Sequence, residues 1–460
     1  MRTYSTNPLV WSRGYEPAQR DAMPPSLGWM LFIVVWIGSC IGGFALVTTA
    51  RQPVLGALLA GVPTVIGCLA KPTFALCCIC FILPWGGAIA YEGIVSADRV
   101  VGGVAAVGIL ANCLFTGKGI RIKESPLLPL FLIAAWGAVS FSWAIYPVPA
   151  VAKALQVLQL SIWGLAIWNG LAYCGGHTWP LRCFVWGVLI VVLQLYLSGS
   201  IESMTHSAER VTVGEGVNPG KFAVILGSAF FVSVYLFLND PSKWLRPVWI
   251  AAAIVTPGVM VQTGSRGPMV GLAIATAVSV LSFRMFWKSK TMAIATILML
   301  ILFAGGVYWS FHGGFVSKLS VTRLTSSTEG ARSVSYRFYL VKTGIGYILA
   351  HPLTGAGLEN YLLHVGQQNI VHVDIIHLGT ELGIPAMLLY IWFLIKQTTG
   401  FMKTTSPPQK WLMRTFVIFL AISACGHVLF FKKVFWFFMV GSAAIAYRSR
   451  HLERYHVAEQ

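Results

Sequence analysis

Apolar stretches long enough to cross a membrane recur along this chain from end to end, and they constrain its fold more than any other feature. A helix of about 20 apolar residues crosses the hydrocarbon layer, because lipid offers no partner for exposed backbone groups. Only 10% of the residues are charged, whereas a soluble protein carries about 25%. The sequence therefore predicts an all-α polytopic membrane protein and excludes a soluble multidomain protein.

The apolar pattern divides the chain into five regions and predicts 12–14 transmembrane helices. A long outer loop is expected to carry short amphipathic helices, the clearest of which should end at His351-Pro352. The regions are a cytoplasmic N-terminal tail (1–26), the N-terminal transmembrane helices (27–309), the long outer loop (310–374), the C-terminal transmembrane helices (375–447) and a cytoplasmic C-terminal tail (448–460).

Basic residues set the predicted orientation, because short cytoplasmic loops of membrane proteins are rich in Lys and Arg. If the N-terminus is cytoplasmic, twenty of the 33 basic residues fall on the inner side and five lie in the long outer loop. This asymmetry largely accounts for the net charge of +18, so the charge predicts no nucleic-acid partner. The eight in short outer loops are Arg51, Arg99, Lys153, Arg210, Lys221, Arg266, Lys432 and Lys433.

Three arginines and one histidine on the outer side have no need to be there for topology: Arg210, Arg266, Arg337 and His372. Charge near lipid is costly, so these side chains predict an anionic ligand, and a lipid diphosphate suits them. Each also has a structural interpretation. Arg266 can extend to the interface, Arg210 can pair with a nearby glutamate, Arg337 can line the polar face of its helix, and His372 can be a loop histidine without function.

The segment after the long loop combines three further ionisable residues. Asp374 is expected to cap the next membrane helix through its first-turn amides. His377 and Glu381, four residues apart, share one face of that helix, and Pro385 is expected to bend it just beyond them. The histidine spacings do not favour a metal site, so neither metal nor cofactor is predicted.

Four landmarks, in order, resemble the O-antigen ligase and polymerase superfamily of membrane glycosyltransferases. The resemblance covers about residues 205–395 and rests on the ordered set, since each motif alone is weak. The landmarks are Arg210 followed by Asn218-Pro219, the triplet Ser265-Arg266-Gly267, Arg337 followed by HPLTGAGLENY (351–361), and His372 followed by a helix with Glu381 and Gly383.

This resemblance implies a GT-C-like, metal-independent enzyme of the bacterial inner membrane. It would move an undecaprenyl-diphosphate-linked glycan to an acceptor hydroxyl on the periplasmic side, in lipopolysaccharide or surface-polysaccharide biosynthesis. By resemblance, His372 activates the hydroxyl, with His377 as the alternative base. The arginines Arg210, Arg266 and Arg337 would hold the diphosphate, and Asn218, Asp374, His377 and Glu381 would support the site.

Several functions share this donor chemistry. A ligase would use a lipid A-core acceptor, a polymerase of O-antigen or exopolysaccharide repeat units would use a glycan, and a protein O-oligosaccharyltransferase would use a protein hydroxyl. From another class, a membrane transporter or lipid flippase would require ionisable residues near the bilayer midplane and an internal repeat. The sequence places its charges at the outer boundary, which favours a glycosyltransferase over a transporter. The donor-side motifs do not separate the three transferases, among which we expect a ligase.

Overall fold

The computed structural model describes residues 27–48, 53–85, 90–91, 95–117, 119–123, 125–173, 177–197, 219–281, 327–366, 370–402 and 407–458, with five isolated positions between 297 and 308. Regular structure in these ranges is helical, apart from one antiparallel pair of two-residue strands, Ala90–Tyr91 and Val95–Ser96. The predicted all-α membrane protein is thereby confirmed. The N-terminal tail and the first part of the long loop, up to residue 326, lie outside the described residues.

The helices follow one another with short connections. The first group comprises α1 (Leu27–Thr48), α2 (Pro53–Ala70), α3 (Pro72–Ile82), α4 (Ala97–Phe115), α5 (Leu128–Val139), α6 (Pro147–Tyr173) and α7 (Thr178–Leu197). The second comprises α8 (Pro219–Asn239), α9 (Arg246–Gln262), α10 (Arg266–Leu281), α11 (Ser327–Ala350), α12 (Tyr361–Val365), α13 (Asp374–Met402), α14 (Pro407–Ala424) and α15 (Lys433–Ala458). Single 3-10 turns occupy Leu83–Trp85, Ser140–Ser142 and Lys243–Leu245.

Within the described ranges, five helical segments are long and apolar enough to cross a membrane: α6, α7, α8, α9 with its preceding 3-10 turn, and α13. Shorter apolar helices from α1 to α5 accompany them. The chain is therefore a multi-pass membrane protein, and the total of 12–14 spans stays a prediction.

Glycines allow neighbouring helices to approach until backbones touch. A Cβ placed on Gly187 of α7 would lie 2.4 Å from the carbonyl oxygen of Phe81 in α3. A Cβ on Gly108 of α4 would lie 2.5 Å from the carbonyl oxygen of Cys68 in α2. Because lipid supplies no hydrophobic drive between helices, such close packing is what holds a membrane bundle together.

Helix α11 is the amphipathic helix predicted for the second half of the long loop, and it ends at Ala350, before His351-Pro352. Gly344 brings it against α13, since a Cβ there would lie 3.2 Å from methyl groups of Ile376 and Thr380. On the opposite side Phe338 and Leu349 are exposed. The helix therefore packs one face on the bundle and leaves apolar side chains outward, as suits a lipid surface.

Helix α13 is broken at Gly383, whose φ of 76° and ψ of −175° are not helical. The break lies two residues before Pro385, which lacks the N–H that would otherwise bond to the carbonyl of Glu381. The turn after α11 satisfies the freed groups. Gly357 N–H donates to the carbonyl of Glu381 at 2.8 Å, and the N–H of Ile384 donates to the carbonyl of Pro352 at 2.7 Å. The predicted bend is present, and the turn after α11 supplies the hydrogen bonds that the helix lacks there.

The glycines of HPLTGAGLENY fit this turn into the break. A Cβ on Gly355 would lie 2.6 Å from the carbonyl carbon of Glu381, and one on Gly383 would lie 2.6 Å from the carbonyl carbon of Leu353. On its other side the turn is held by Trp143, whose indole N–H donates to the carbonyl of Thr354 at 3.1 Å. The glycine motif is therefore a structural brace for the helix that carries His377 and Glu381.

Candidate active site

The connection between α14 and α15, residues 425–432, organises one end of the bundle. A Cβ on Gly426 would lie 3.4 Å from Nη1 of Arg337 and 3.8 Å from the Cα of Gly267. The imidazole of the next residue, His427, fills the space in front of Gly220 at the start of α8 and reaches towards Gly267. Because Arg337 and the neighbouring Arg266 were assigned by sequence to the outer face, we call this end of the bundle the site end.

Asp374 anchors that connection. Its Oδ1 accepts the backbone N–H of Leu429 at 2.9 Å and of Phe430 at 3.2 Å, and Oδ2 accepts the hydroxyl of Tyr390 at 3.3 Å. The predicted use of this carboxylate as a cap for its own helix is therefore wrong. Two backbone donors from the 425–432 connection occupy it instead.

The arginines Arg266 and Arg337 come together at the site end. Arg266 is the first residue of α10, directly after a turn in which Gly264 has a φ of 60°. Arg337 lies on α11 and is partly buried. Burial, and then the positive charge of Arg266, lower the pKa of Arg337. Two guanidinium groups close enough to influence each other favour an anion between them.

His372 lies in the short segment before α13, next to Arg337. Burial, and then the charge of Arg337, lower the pKa of His372 from 6.5. The imidazole is therefore neutral at physiological pH, which is the state that can accept a proton. The structure thus brings together three of the predicted residues, Arg266, Arg337 and His372. Arg210 and Asn218 lie outside the described residues.

His377 and Glu381 are both buried but serve different neighbours. Oε2 of Glu381 accepts the backbone N–H of Asn360, in the HPLTGAGLENY turn, at 3.1 Å. The ring of His377 meets Phe431 edge to face with centroids 6.0 Å apart, and its Nδ1 has no hydrogen-bond partner among the described residues. The shared helix face predicted for the pair is present, but Glu381 braces the turn while His377 faces the connection 425–432.

Three lysines at the site end were not singled out from the sequence: Lys153 on α6, Lys221 on α8 and Lys432 before α15. The ammonium of Lys153 lies 3.0 Å from Oε2 of Glu359 and 4.2 Å from the ring centroid of Phe431. The only sequence signal for them was their place among the eight basic residues of the short outer loops. In the described part of the chain, no group of three or more His, Cys, Asp or Glu side chains is arranged to hold a metal.

Fold and site together define a multi-pass α-helical membrane protein with cationic side chains gathered at one end of its bundle. The family model of the O-antigen ligase matches residues 250–391, which confirms the resemblance to the O-antigen ligase and polymerase superfamily. The matched segment includes Arg266, Arg337 and His372. It supports a membrane enzyme of the glycosyltransferase type that acts in surface-polysaccharide biosynthesis. A comparison with curated proteins finds no match to the chain.

Proposed function

We propose that the protein is an inner-membrane glycosyltransferase of the O-antigen ligase type. It moves a glycan from undecaprenyl diphosphate to an acceptor hydroxyl on the periplasmic side of the membrane. The observation that carries this proposal is the placement of the neutral imidazole of His372 beside Arg337 and Arg266, inside the segment that matches the O-antigen ligase family.

The arginines act on the leaving group. When the bond between the anomeric carbon and the diphosphate oxygen breaks, that oxygen keeps the electron pair and the diphosphate gains negative charge. Guanidinium groups with fixed geometry stabilise this charge more in the transition state than before it. Arg266 and Arg337 take this role, with Arg210 as the third member inferred from the family pattern and Asn218 supporting it.

His372 acts on the acceptor. The hydroxyl oxygen forms the new bond to the anomeric carbon, and its proton passes to the imidazole. The positive charge of Arg337 opposes early protonation of His372, so the base is ready at neutral pH. Asp374 supports the site because its carboxylate accepts two backbone N–H groups of the 425–432 connection. His377 and Glu381 support the site from α13.

The arginines provide the test of the donor role. Purified full-length enzyme would be assayed with undecaprenyl-diphosphate-linked glycan and a lipid A-core acceptor, with a second lipid-linked glycan as the alternative acceptor. Wild-type transfer to the lipid A-core is expected, and transfer to the glycan instead would make the protein a polymerase. Arg266→Lys should lower kcat by about a hundredfold, because a point charge cannot replace a bidentate donor.

Arg99→Lys is the matched control, because Arg99 is an exposed residue of α4 that was also assigned to the outer face. It should transfer like the wild type. Full activity of Arg266→Lys would remove the diphosphate role of that residue. Transport of the lipid-linked glycan across the membrane without any transfer product would instead favour the flippase.

A further inference from the structure

Three lysines from well-separated parts of the chain form a second cationic group at the site end. Lys221 follows Gly220, which packs against His427 of the 425–432 connection, and Nζ of Lys153 lies 4.2 Å from the ring centroid of Phe431, the residue before Lys432. The charges of Lys221 and Lys153 both act on Lys432. Lys221 belongs to the first turn of α8, Lys153 to the second turn of α6, and Lys432 directly precedes α15. We call these three residues the lysine cluster.

One carboxylate of the described residues, that of Glu359, belongs to the surroundings of the cluster itself. Glu359 forms an ion pair with Lys153 at 3.0 Å and is half exposed, and its charge is also felt by Lys432. Glu381 is buried behind them and accepts the backbone N–H of Asn360. Glu359 balances one of the three ammonium charges, so the remaining like charges near Lys432 cost free energy unless an anion joins them.

Lys432 records this cost. Burial, together with the charges of Lys221 and Lys153, lowers its pKa from 10.5 to about 7. An anion that entered between the ammonium groups would restore the charge of Lys432 and be held by compact, strongly hydrated cations. Lysine is a usual point-charge ligand for phosphate.

The lysine cluster and the arginines each lie near one of the two histidines, and both contact the 425–432 connection. Phe431 neighbours both Lys153 and His377, with its ring centroid 4.2 Å from the lysine Nζ and 6.0 Å from the imidazole centroid. On the other side, Arg337 lies beside Gly426 and lowers the pKa of His372. One cationic group near each histidine suits a reaction that joins two anionic substrates.

We propose that the lysine cluster of Lys153, Lys221 and Lys432 binds a phosphate group of the acceptor substrate, while Arg266 and Arg337 hold the diphosphate of the donor. The inference rests on the proposed transferase function and adds an acceptor requirement to it. The lysine cluster recognises a phosphate group on a lipid-linked or glycan acceptor. Binding of this phosphate places the acceptor hydroxyl beside the histidines, next to the bound donor.

The first experiment measures the number of inorganic pyrophosphate ions bound by full-length protein in phosphatidylcholine nanodiscs, by isothermal titration calorimetry. Wild-type protein should bind two. The double variant Lys221→Gln/Lys432→Gln and the double variant Arg266→Gln/Arg337→Gln should each bind one. The exposed Lys243→Gln, from the opposite end of the bundle, should bind two. Two ions on the lysine double variant, or one on the wild type, would overturn a separate lysine site.

The single variant Lys432→Gln extends the measurement if the double variant does not fold. Loss of one charge-assisted hydrogen bond should weaken the second pyrophosphate by about tenfold and leave the first unchanged. Equal affinity of both ions for wild type and Lys432→Gln would count against the cluster. Because calorimetry measures binding rather than transfer, the result remains valid even if the enzyme proves to use another donor.

The second experiment assigns the phosphate to acceptor or donor. In transfer assays, Lys432→Gln should raise KM for a phosphorylated acceptor by about tenfold and leave KM for the donor unchanged. With the same acceptor after phosphatase treatment, variant and wild type should be equal. A rise in the donor KM alone would overturn the acceptor assignment. Absence of transfer by wild-type enzyme with every acceptor would instead count against the proposed function.

Discussion

The two ends of the bundle both bury cations, but they neutralise them differently. At the end opposite the site, Nε of Arg182 donates to Oδ2 of Asp240 at 2.8 Å, and its Nη2 bonds to Oδ1. The same nitrogen donates to the hydroxyl of Ser242 at 2.9 Å, and Trp249 donates to the Asp240 carboxylate at 3.0 Å. The protein itself thus supplies the counter-charge and fills the remaining hydrogen-bonding positions.

At the site end, by contrast, cations also lie beside cations, although Glu359 pairs with Lys153. Arg337 is next to Arg266, and Lys432 is next to Lys221, so in each pair the neighbour lowers the pKa rather than stabilising the charge. The comparison teaches that burial of an arginine is weak evidence for function. At one end a protein carboxylate neutralises the buried arginine, and at the other we propose that substrate phosphates join the cations.

The largest effect should come from the base at the site end. His372→Ala should lower kcat by about 10²- to 10⁴-fold, because the acceptor hydroxyl loses its proton acceptor, while pyrophosphate binding stays close to wild type. The exposed His364→Ala serves as the control and should keep full activity. An inactive His377→Ala beside an active His372→Ala would move the role of base to His377.

At the opposite end the effect should fall on stability. Arg182→Met leaves the fully buried carboxylate of Asp240 without its partner and should cost about 3–5 kcal/mol, read as a lowered Tm in detergent. The double variant Arg182→Met/Asp240→Leu should recover much of this loss, because two apolar groups replace the pair. Transfer per folded molecule should match the wild type. A selective loss of kcat with unchanged Tm would show that this end also takes part in the reaction.

Disturbing the turn that packs into the break in α13 at Gly383 should have an intermediate effect on stability. In Gly383→Ala the new Cβ meets the backbone of Leu353, and the φ of 76° with extended ψ suits only glycine. Backbone strain alone should destabilise the protein by about 1–3 kcal/mol. Gly346→Ala on α11, where a Cβ meets no atom within 4 Å, is the matched control and should leave Tm unchanged or raised. Equal Tm values for both variants would show that the break at Gly383 is not required.

The smallest effect should appear in the pH dependence. Because the pKa of His372 is lowered from 6.5, kcat/KM should stay level through neutral pH and decline only as pH falls below that value and the imidazole is protonated. Arg337→Gln removes the nearby positive charge, so the decline should begin at a higher pH. A pH profile of both proteins, each normalised to its own maximum, measures the shift. An unchanged midpoint would mean that Arg337 does not act on the proton acceptor.

Much of the fold and part of the site followed from local sequence. Apolar length and the scarcity of charge predicted the helical membrane bundle, and the end of α11 followed from His351-Pro352. Arg266, Arg337 and His372 stood out because each is a polar residue at a membrane boundary, a signal that needs no knowledge of its partners. The lysine cluster did not stand out, because Lys153, Lys221 and Lys432 are far apart in the chain and individually ordinary. The Asp374 cap was mispredicted for the same reason, since its amide donors lie more than fifty residues away.

Periodic apolarity and the scarcity of charge determined by themselves that this chain is helical and that it lies in a membrane. Those properties depend on the free energy of each segment in lipid and can be read one segment at a time. Only the tertiary structure decided which cations become neighbours, which carboxylate braces a turn and which residues complete the break in α13. Those outcomes depend on the close approach of distant backbones, for which glycines such as Gly383 and Gly426 leave room. A local sequence pattern does not predict which segments approach each other.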